Sequence, residues 1–462
     1  MKLIKNWQYH HAFFFIGLLF GLKLVFVNPP WHANDEDRHF FNAYNLSSGH
    51  IGPQVQKGRV GFLLPKNLAS DVFNFQMIRL NDTSKLPPSI IDQFAEKVLD
   101  TDSIYFHESP NCTLQPFPYI PAAISMKLGG IMYDSPVWLG WWGRIGTLLA
   151  YLCVCFLAIK RAPQFKGLLT LIALSPMALY QGGSITYDSL GLAFLFLYFA
   201  YLMRFYFQEE KITLHQIILL FVIAFMQRLS KDGYFLLFFC TLFLPIHQFE
   251  KKSYFWIGFG LMMIAAFLPS FLWNTYIQSL HLPTEKPLQN DFVFDMKKNF
   301  AWQFHNPLHG IYLIALNIFK QGQMWIIGSV GRFGFSYTKL PVWFVVLQYL
   351  TMATAVFTET YSKPLQRWFR FGMITLSILT SLAILFVFFL NNSPIGSDYL
   401  YGLQGRYFTP LLPFLIGCCF YIHQPITTKL SANHIKMGIS LYTIVTLWYT
   451  VYFLQESFYH VS

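Results

Sequence analysis

Charge is what this chain has least of. Only 12% of its 462 residues are Asp, Glu, Lys or Arg, against 54% hydrophobic and 19% aromatic, whereas soluble domains carry about a quarter charged residues. A soluble fold of any size is excluded, because so few ionic groups cannot clothe a water-facing surface. Cysteine is sparse as well, at six residues. Cys153, Cys155, Cys240, Cys418 and Cys419 lie in apolar runs and Cys112 stands alone, so neither a disulfide framework nor a thiolate metal site is expected. His107-Glu108, and His305 with His309, lack zinc-ligand spacing. There is no low-complexity tract, and no internal repeat clear enough to argue a two-halved transporter. The first apolar run, residues 12–27, carries Lys23 and ends in Asn28-Pro29-Pro30 without a small-residue cleavage site, which reads as a retained span and not as a signal peptide.

What the chain has in quantity is apolar sequence. Runs such as 253–271 and 372–390 approach or exceed the roughly 18 residues needed to cross about 30 Å of hydrocarbon, so lipid is the natural solvent. Basic residues outnumber acidic ones, 33 to 22, a net +11, but their placement says more than their sum, and nucleic-acid binding does not follow. They concentrate in short loops at Lys2 and Lys5, at Lys160, Arg161 and Lys166, at Lys251 and Lys252, and at Lys363, Arg367 and Arg370. The positive-inside rule makes those loops cytoplasmic. Trp138, Trp141 and Trp142 form an aromatic belt where the second span enters the membrane.

Alternating from a cytoplasmic N-terminus gives an all-α polytopic membrane protein of about 11 transmembrane helices (range about 10–13), with its C-terminus outside. Residues 1–28 form the first span. Residues 29–137 form a large, mostly helical extracytoplasmic loop domain with helical pieces at 35–47 and 88–98. Central transmembrane helices follow at 138–279, an outer loop with re-entrant or interfacial helices at 280–339, and C-terminal transmembrane helices at 340–462. The apolar stretches 214–225 and 234–246 form a pair joined on the outer side by residues 227–233; both are short and read as partial or broken helices. Residues 308–319 and 324–330 are read as the re-entrant or interfacial pieces.

Directly after the first span come Asn34, Asp35, Glu36, Asp37, Arg38 and His39. Three adjacent carboxylates at the bilayer surface could serve as a general base toward a hydroxyl, and His39, four positions after Asp35, would share its helical face. The plainer alternative is a helix start: Asn34 is a good N-cap, and first-turn acids suit the helix dipole. Arg228, Lys231, Arg332 and Arg406 all fall on the outer side of this topology, against the usual cytoplasmic bias, so each needs a local reason. An arginine fork suits phosphate; the alternatives are snorkelling or pairing with acids such as Asp232 or Asp398. Tyr187 and Asp188 stand at the lip of another span, where capping is an equal alternative. Arg144, early in the second span, could face the site or solvent.

The stretch from Pro29 through Asp35-Glu36-x-x-His39-Phe40-x-x-Ala43-Tyr44-x-Leu46-Ser47-x-Gly49 resembles the opening signature of the DUF2142 family of bacterial membrane proteins. Ser184-x-x-Tyr187-Asp188-Ser189-Leu190, Ser230-Lys231, Gly331-Arg332-Phe333-Gly334 and Gln404-Gly405-Arg406-Tyr407-Phe408-x-Pro410 resemble its later motifs. The family is similar in layout to the GT-C glycosyltransferases, which carry an acidic catalytic motif after the first span and take sugars from polyprenyl phosphate. Two departures stand out. Asn34 replaces the usual proline of a Pro-Asp-Glu motif, and Asp37 is an extra acid, which leaves open which carboxylate is the base.

The resemblance implies a glycosyltransferase in a bacterial cytoplasmic membrane. It would move a sugar from a polyprenyl-phosphate donor to a surface glycan or glycolipid on the extracytoplasmic face. Asp35, Glu36 and His39 would be the catalytic candidates, and Arg406, Lys231, Arg332 and Arg228 would hold the donor phosphate. Asp37, Tyr187, Asp188, Tyr407 and Gln404 are further site candidates. Magnesium or another divalent cation at Asp35 and Glu36 is an option, since oxygen ligands suit such ions. The alternatives are a transporter or flippase of lipid-linked saccharides, which would need charges along a path through the spans, and a non-catalytic partner in surface-polysaccharide assembly.

Overall fold

The computed structural model describes residues 8–79, 85–282, 295–334, 338–423 and 431–459; Lys2 and Lys5 and part of the 280–339 loop lie outside them. The described residues are 72% helical. Among the described residues six helices are long and apolar enough to cross a membrane: Tyr9–Val27, Pro136–Arg161, Tyr187–Phe207, Lys252–Ser279, Arg367–Asn392 and Ala432–Phe458. At 1.5 Å per residue the shortest reaches about 28 Å, close to the hydrocarbon thickness. Leu214–Ser230 and Val342–Phe357 are shorter apolar helices.

Tyr187–Phe207, packed mainly against Pro136–Arg161 and Leu214–Ser230, is the most enclosed of the six: its apolar window is 83% buried inside the protein, against 33% for Lys252–Ser279. A helix apolar on every side is stable only where every side meets protein or lipid. Tyr187–Phe207 meets protein, and the outer helices turn large side chains such as Phe15, Phe271 and Trp448 outward.

Several apolar stretches are not regular α-helix. Residues 166–182 form two short buried helices, Lys166–Ala173 and Pro176–Gly182, broken at Leu174-Ser175 where Pro176 cannot continue the hydrogen-bond ladder. The 234–246 stretch winds as a 3₁₀ helix, Phe235–Phe243, and another 3₁₀ turn, Gly405–Leu411, leads into the helix Leu412–Cys419. The residues read as two re-entrant pieces, 308–319 and 324–330, form one continuous helix, Pro307–Gly331.

The loop domain is not purely helical. Its helices Glu36–Ser47, Lys66–Arg79, Pro88–Ala95 and Ile120–Gly129 surround a three-stranded antiparallel sheet of Gln54–Gln56, Arg59–Pro65 and Ile104–Glu108. The first two strands form a hairpin around Lys57 and Gly58, both at positive φ, as a tight two-residue turn requires. The domain stands at the end of the bundle where Tyr187–Phe207 begins. At the opposite end the Tyr206 hydroxyl donates to the Pro364 carbonyl (2.9 Å), and the Phe165 amide donates to Glu359 (2.7 Å). The basic Lys160-Arg161 and Lys363 loops therefore lie at the far end from the acidic motif.

Candidate functional site

The three acids diverge as soon as the chain folds. Asp35 sits in the left-handed region (φ 58°) at the N-cap of Glu36–Ser47, a conformation that Asp tolerates better than most residues. This turn sends consecutive side chains to different places. Glu36 points inward and is fully buried. Its Oε1 accepts from Arg144 Nε (2.8 Å) and the Ile185 amide (3.0 Å), and its Oε2 from Arg144 Nη2 (2.5 Å) and the Ala33 amide (3.2 Å). Arg144 uses its remaining donors on the carbonyls of Val25 (2.9 Å), Asn28 (2.6 Å) and Pro29 (2.7 Å). All five guanidinium N–H groups are spent, so Arg144 faces neither solvent nor a vacant site.

Asp35 points the other way. Its side chain is about one-third exposed (36%); one oxygen is 3.4 Å from Arg406 Nη2 and the other 4.0 Å from Arg38 Nη1. Beside it Asn34 Nδ2 donates to Gln404 Oε1 (2.5 Å), tying the acidic turn to the segment that carries Arg406. Asp37 is buried in the loop domain, where its charge acts on His39 and His107. His39 is also buried, with Nδ1 2.7 Å from the Tyr119 hydroxyl and its ring edge-on to Tyr187. Desolvation pushes its pKa down to about 4, so it is neutral at ordinary pH.

Arg406 links the acidic turn to a second carboxylate. Its Nε lies 3.2 Å from Asp188 Oδ2, and Lys231 forms an ion pair with Asp188 Oδ1. Gln181 donates to Asp188 (3.2 Å), and Thr186 caps the helix by accepting from the Asp188 amide (3.2 Å). The cap is therefore Thr186, and the Asp188 carboxylate is spent on Lys231 and Arg406 instead. Lys231 is ringed by aromatic faces, 4.2 Å from the Tyr407 centroid, 5.0 Å from Tyr187 and 5.8 Å from Tyr234, a setting that favours a cation electrostatically. Gly191 makes room for it: a Cβ there would stand 2.8 Å from Lys231 Cβ.

Lys231 and Arg228 face a cavity of about 420 Å³. Tyr119, Tyr187, Tyr234 and Tyr407 form its polar side, and Ala383, Ile384, Val387 and Phe388 of Arg367–Asn392 form an apolar wall. Val387 is half exposed on the outer surface of the bundle, so this wall lies toward lipid. Arg228 is braced by an ion pair with Asp232 and by donation from Nε to the Ala266 carbonyl (2.7 Å).

Arg332 does not line the cavity. It starts a two-residue strand, Arg332–Phe333, paired with Thr338–Lys339, next to the crossing of Gly328 and Gly405. That crossing explains Gly405: a Cβ would strike the Trp325 carbonyl and come within 2.5 Å of Gly328 Cα. The glycine therefore serves a backbone contact with Pro307–Gly331.

A divalent cation does not fit Asp35 and Glu36 together. Both Glu36 oxygens already face N–H donors, one a guanidinium whose charge would repel the ion. Among the described residues no group of three or more His, Cys, Asp or Glu side chains could hold a metal.

The structure thus brings Asp35, Arg406, Asp188, Lys231, Tyr187, Tyr407, Gln404 and His39 to one end of the bundle, with Arg228 across the cavity. Four contributors were not among the sequence candidates: Tyr119, Tyr234, Gln181 and Arg38. The motifs that meet here lie far apart in the chain, and a family model described as "Predicted membrane protein (DUF2142)" matches across them, over residues 18–415. The chain belongs to the DUF2142 family. It is a membrane protein, and the DUF2142 match covers five of its six long apolar helices wholly or in part. No curated protein and no solved structure matches it.

Proposed function

We propose that this DUF2142 protein is a GT-C-like glycosyltransferase that takes a sugar from a polyprenyl-phosphate donor and passes it to a glycan or glycolipid hydroxyl. One observation carries the reading. The part-exposed carboxylate of Asp35 is joined through Arg406 and Asp188 to Lys231, which faces a cavity with an apolar wall toward lipid.

Asp35 is the base, because of the two leading carboxylates it alone has an oxygen not saturated by close hydrogen bonds. It takes the acceptor hydroxyl proton. The oxygen lone pair forms the new bond to the anomeric carbon, and the bond from that carbon to the phosphate oxygen breaks with its electrons leaving on the phosphate. Lys231 and Arg406 receive that charge. Around the site Arg38, Arg406 and Lys231 surround the carboxylates of Asp35 and Asp188, so cationic donors stand where an anion would form. The prenyl chain lies along the wall of Ile384, Val387 and Phe388. Glu36 and His39 act as supports: Glu36 anchors the acidic turn, and His39 holds Tyr119 at the cavity.

On this proposal the site faces the extracytoplasmic side of a bacterial cytoplasmic membrane, opposite the basic loops, in a chain of about 11 spans. The broken helix pair Lys166–Ala173 and Pro176–Gly182 is the feature that favours a transporter of lipid-linked saccharides instead. The two part company in one assay: purified protein in nanodiscs, given synthetic polyprenyl-phosphate sugars and an envelope glycan extract. Donor turnover that disappears in Asp35→Asn is expected. Vesicle-to-vesicle movement of intact donor without turnover would replace the enzyme reading with the transporter.

A further inference from the structure

The helix Ile120–Gly129 belongs in sequence to the loop domain, yet its surface is built for hydrocarbon. Ile120, Ile124 and Leu128 recur every four residues along one side and are 41%, 55% and 63% exposed. Ile131, Met132 and Tyr133 extend the stripe. The opposite side, Ala122, Met126 and Gly129, is buried. A face this apolar does not rest in water without a partner.

Glycine contacts set the depth of this helix. It runs antiparallel to the start of Pro136–Arg161, so closely that a Cβ on Gly129 would enter the Trp142 ring, one on Gly143 would meet Met126, and one on Gly146 would strike the Pro121 carbonyl. Gly129 is therefore level with Trp142, and Pro121 with Gly146. Trp138, Trp141 and Trp142, with Tyr133 stacked on Trp138 (4.9 Å) and Phe26 edge-on to Trp141 (5.3 Å), make up the aromatic belt that marks a membrane interface. The helix N-terminus thus lies about 6 Å or more below the belt, four residues further along the spanning helix.

The backbone is prepared for that depth, where unpaired N–H groups are costly. Pro116, Pro118 and Pro121 have none to pair. The Tyr119 amide donates to the Pro116 carbonyl (3.0 Å) and the Ile120 amide to that of Phe117, so a 3₁₀ turn runs unbroken into the helix. Lys127, exposed beside Leu128 near the belt, can reach the headgroups.

We infer that Ile120–Met132 is a half-depth re-entrant segment whose Ile120, Ile124 and Leu128 face touches the acyl chains of the leaflet on the site's side. This holds whether or not the protein transfers sugars. Its consequence is geometric: Leu114, Gln115, Pro118 and Tyr119, directly before the helix, line the cavity, so the cavity opens below the headgroup level.

The test attaches bimane to Ile124→Cys, Leu128→Cys and the exposed hairpin position Lys57→Cys in full-length protein in liposomes. The signal of the parent, from exposed Cys153 and Cys419, is subtracted. Brominated acyl chains should quench positions 124 and 128 at least about threefold more than position 57, and aqueous iodide the reverse. Iodide quenching at 124 and 128 equal to that at 57 would mean a water-facing helix. Protection from both quenchers would mean a protein partner or second copy covers it. Either result overturns the inference, and because the two positions are tested separately, loss of one variant to misfolding leaves the other decisive.

Discussion

Replacing Glu36 and Asp35 one at a time should separate scaffold from chemistry within a two-residue motif. Glu36→Gln keeps shape and volume, but its amide would turn N–H groups toward Arg144, all of whose donors are committed. It would also leave a buried guanidinium without its counter-charge. Breaking one side of such a pair costs about 3–5 kcal/mol, a large share of the roughly 5–15 kcal/mol by which folds survive. The thermal unfolding midpoint of the purified protein should fall by about 3–5 °C. Asp35→Asn removes only contacts of 3.4 and 4.0 Å from a part-exposed group, worth at most about 1 kcal/mol after solvent screening. Its midpoint should stay within about 2 °C while donor turnover falls about 10²–10⁴-fold. The reasoning is refuted if Glu36→Gln unfolds like wild type yet loses turnover, because Glu36 would then be the reacting group and Arg144 its tuner.

Three further outcomes follow from neighbouring contacts. Gly191→Ala puts a methyl 2.8 Å from Lys231 Cβ; donor KM should rise about tenfold, near 1.4 kcal/mol, with the unfolding midpoint little changed, and unchanged KM would mean that Lys231 does not hold the donor. Gly405→Ala drives a methyl into the Trp325 carbonyl and Gly328, so it should cost at least about 1–3 kcal/mol and appear as reduced folded yield, whereas Gly402→Ala, strained by its φ of 75° but clear of that crossing, should affect yield less. For His39, whose pKa burial lowers to about 4 from 6.5, the unfolded chain binds the proton first. Stability should therefore decline as pH falls from about 6.5 to about 4, by about 3 kcal/mol in total. His39→Gln should flatten that decline in a midpoint-against-pH series.

The bundle was legible because its signal is additive: nineteen or more consecutive residues with almost no charge read as a span wherever they pack. The stretches that misled are those where packing decides. Residues 234–246 are as apolar as any helix here but wind as 3₁₀ beneath Arg367–Asn392, and 308–330 carries Asn317, Lys320 and Gln321, polar enough to look like a break, yet Asn317 and Gln321 bond to each other and to the 398–400 loop. The loop-domain sheet left a trace in Lys57-Gly58 flanked by Val55 and Val60, a hairpin signal too short to stand out. Which acid does what was not readable locally, because the partner that decides it, Arg144, lies 108 residues away. One clue was present. An arginine between Trp142 and a long apolar run has to find an acid, and the acids that follow the first span are the nearest supply.

The division of labour between Asp35 and Glu36 rests on one backbone dihedral. Were Asp35 in ordinary helical geometry, its side chain and that of Glu36 would emerge about 100° apart on a common helix, and anchoring one would constrain the other to the same wall. The left-handed conformation at Asp35 (φ 58°) breaks that coupling at a cost of about 1–2 kcal/mol for a residue with a Cβ. The saturated Glu36–Arg144 pair, together with the Asn34–Gln404 bond, holds the turn in that conformation, so strain at the exposed acid is supported by order at the buried one. Asp35→Gly relaxes the dihedral and deletes the carboxylate, and Asp35→Asn keeps the dihedral and deletes only the charge. Both should lose turnover alike, but Asp35→Gly should unfold at or above the wild-type temperature. If instead it unfolds well below, the turn is held by the carboxylate's own contacts with Arg406 and Arg38, and Asp35 is a structural ion-pair partner with no freedom to act as a base.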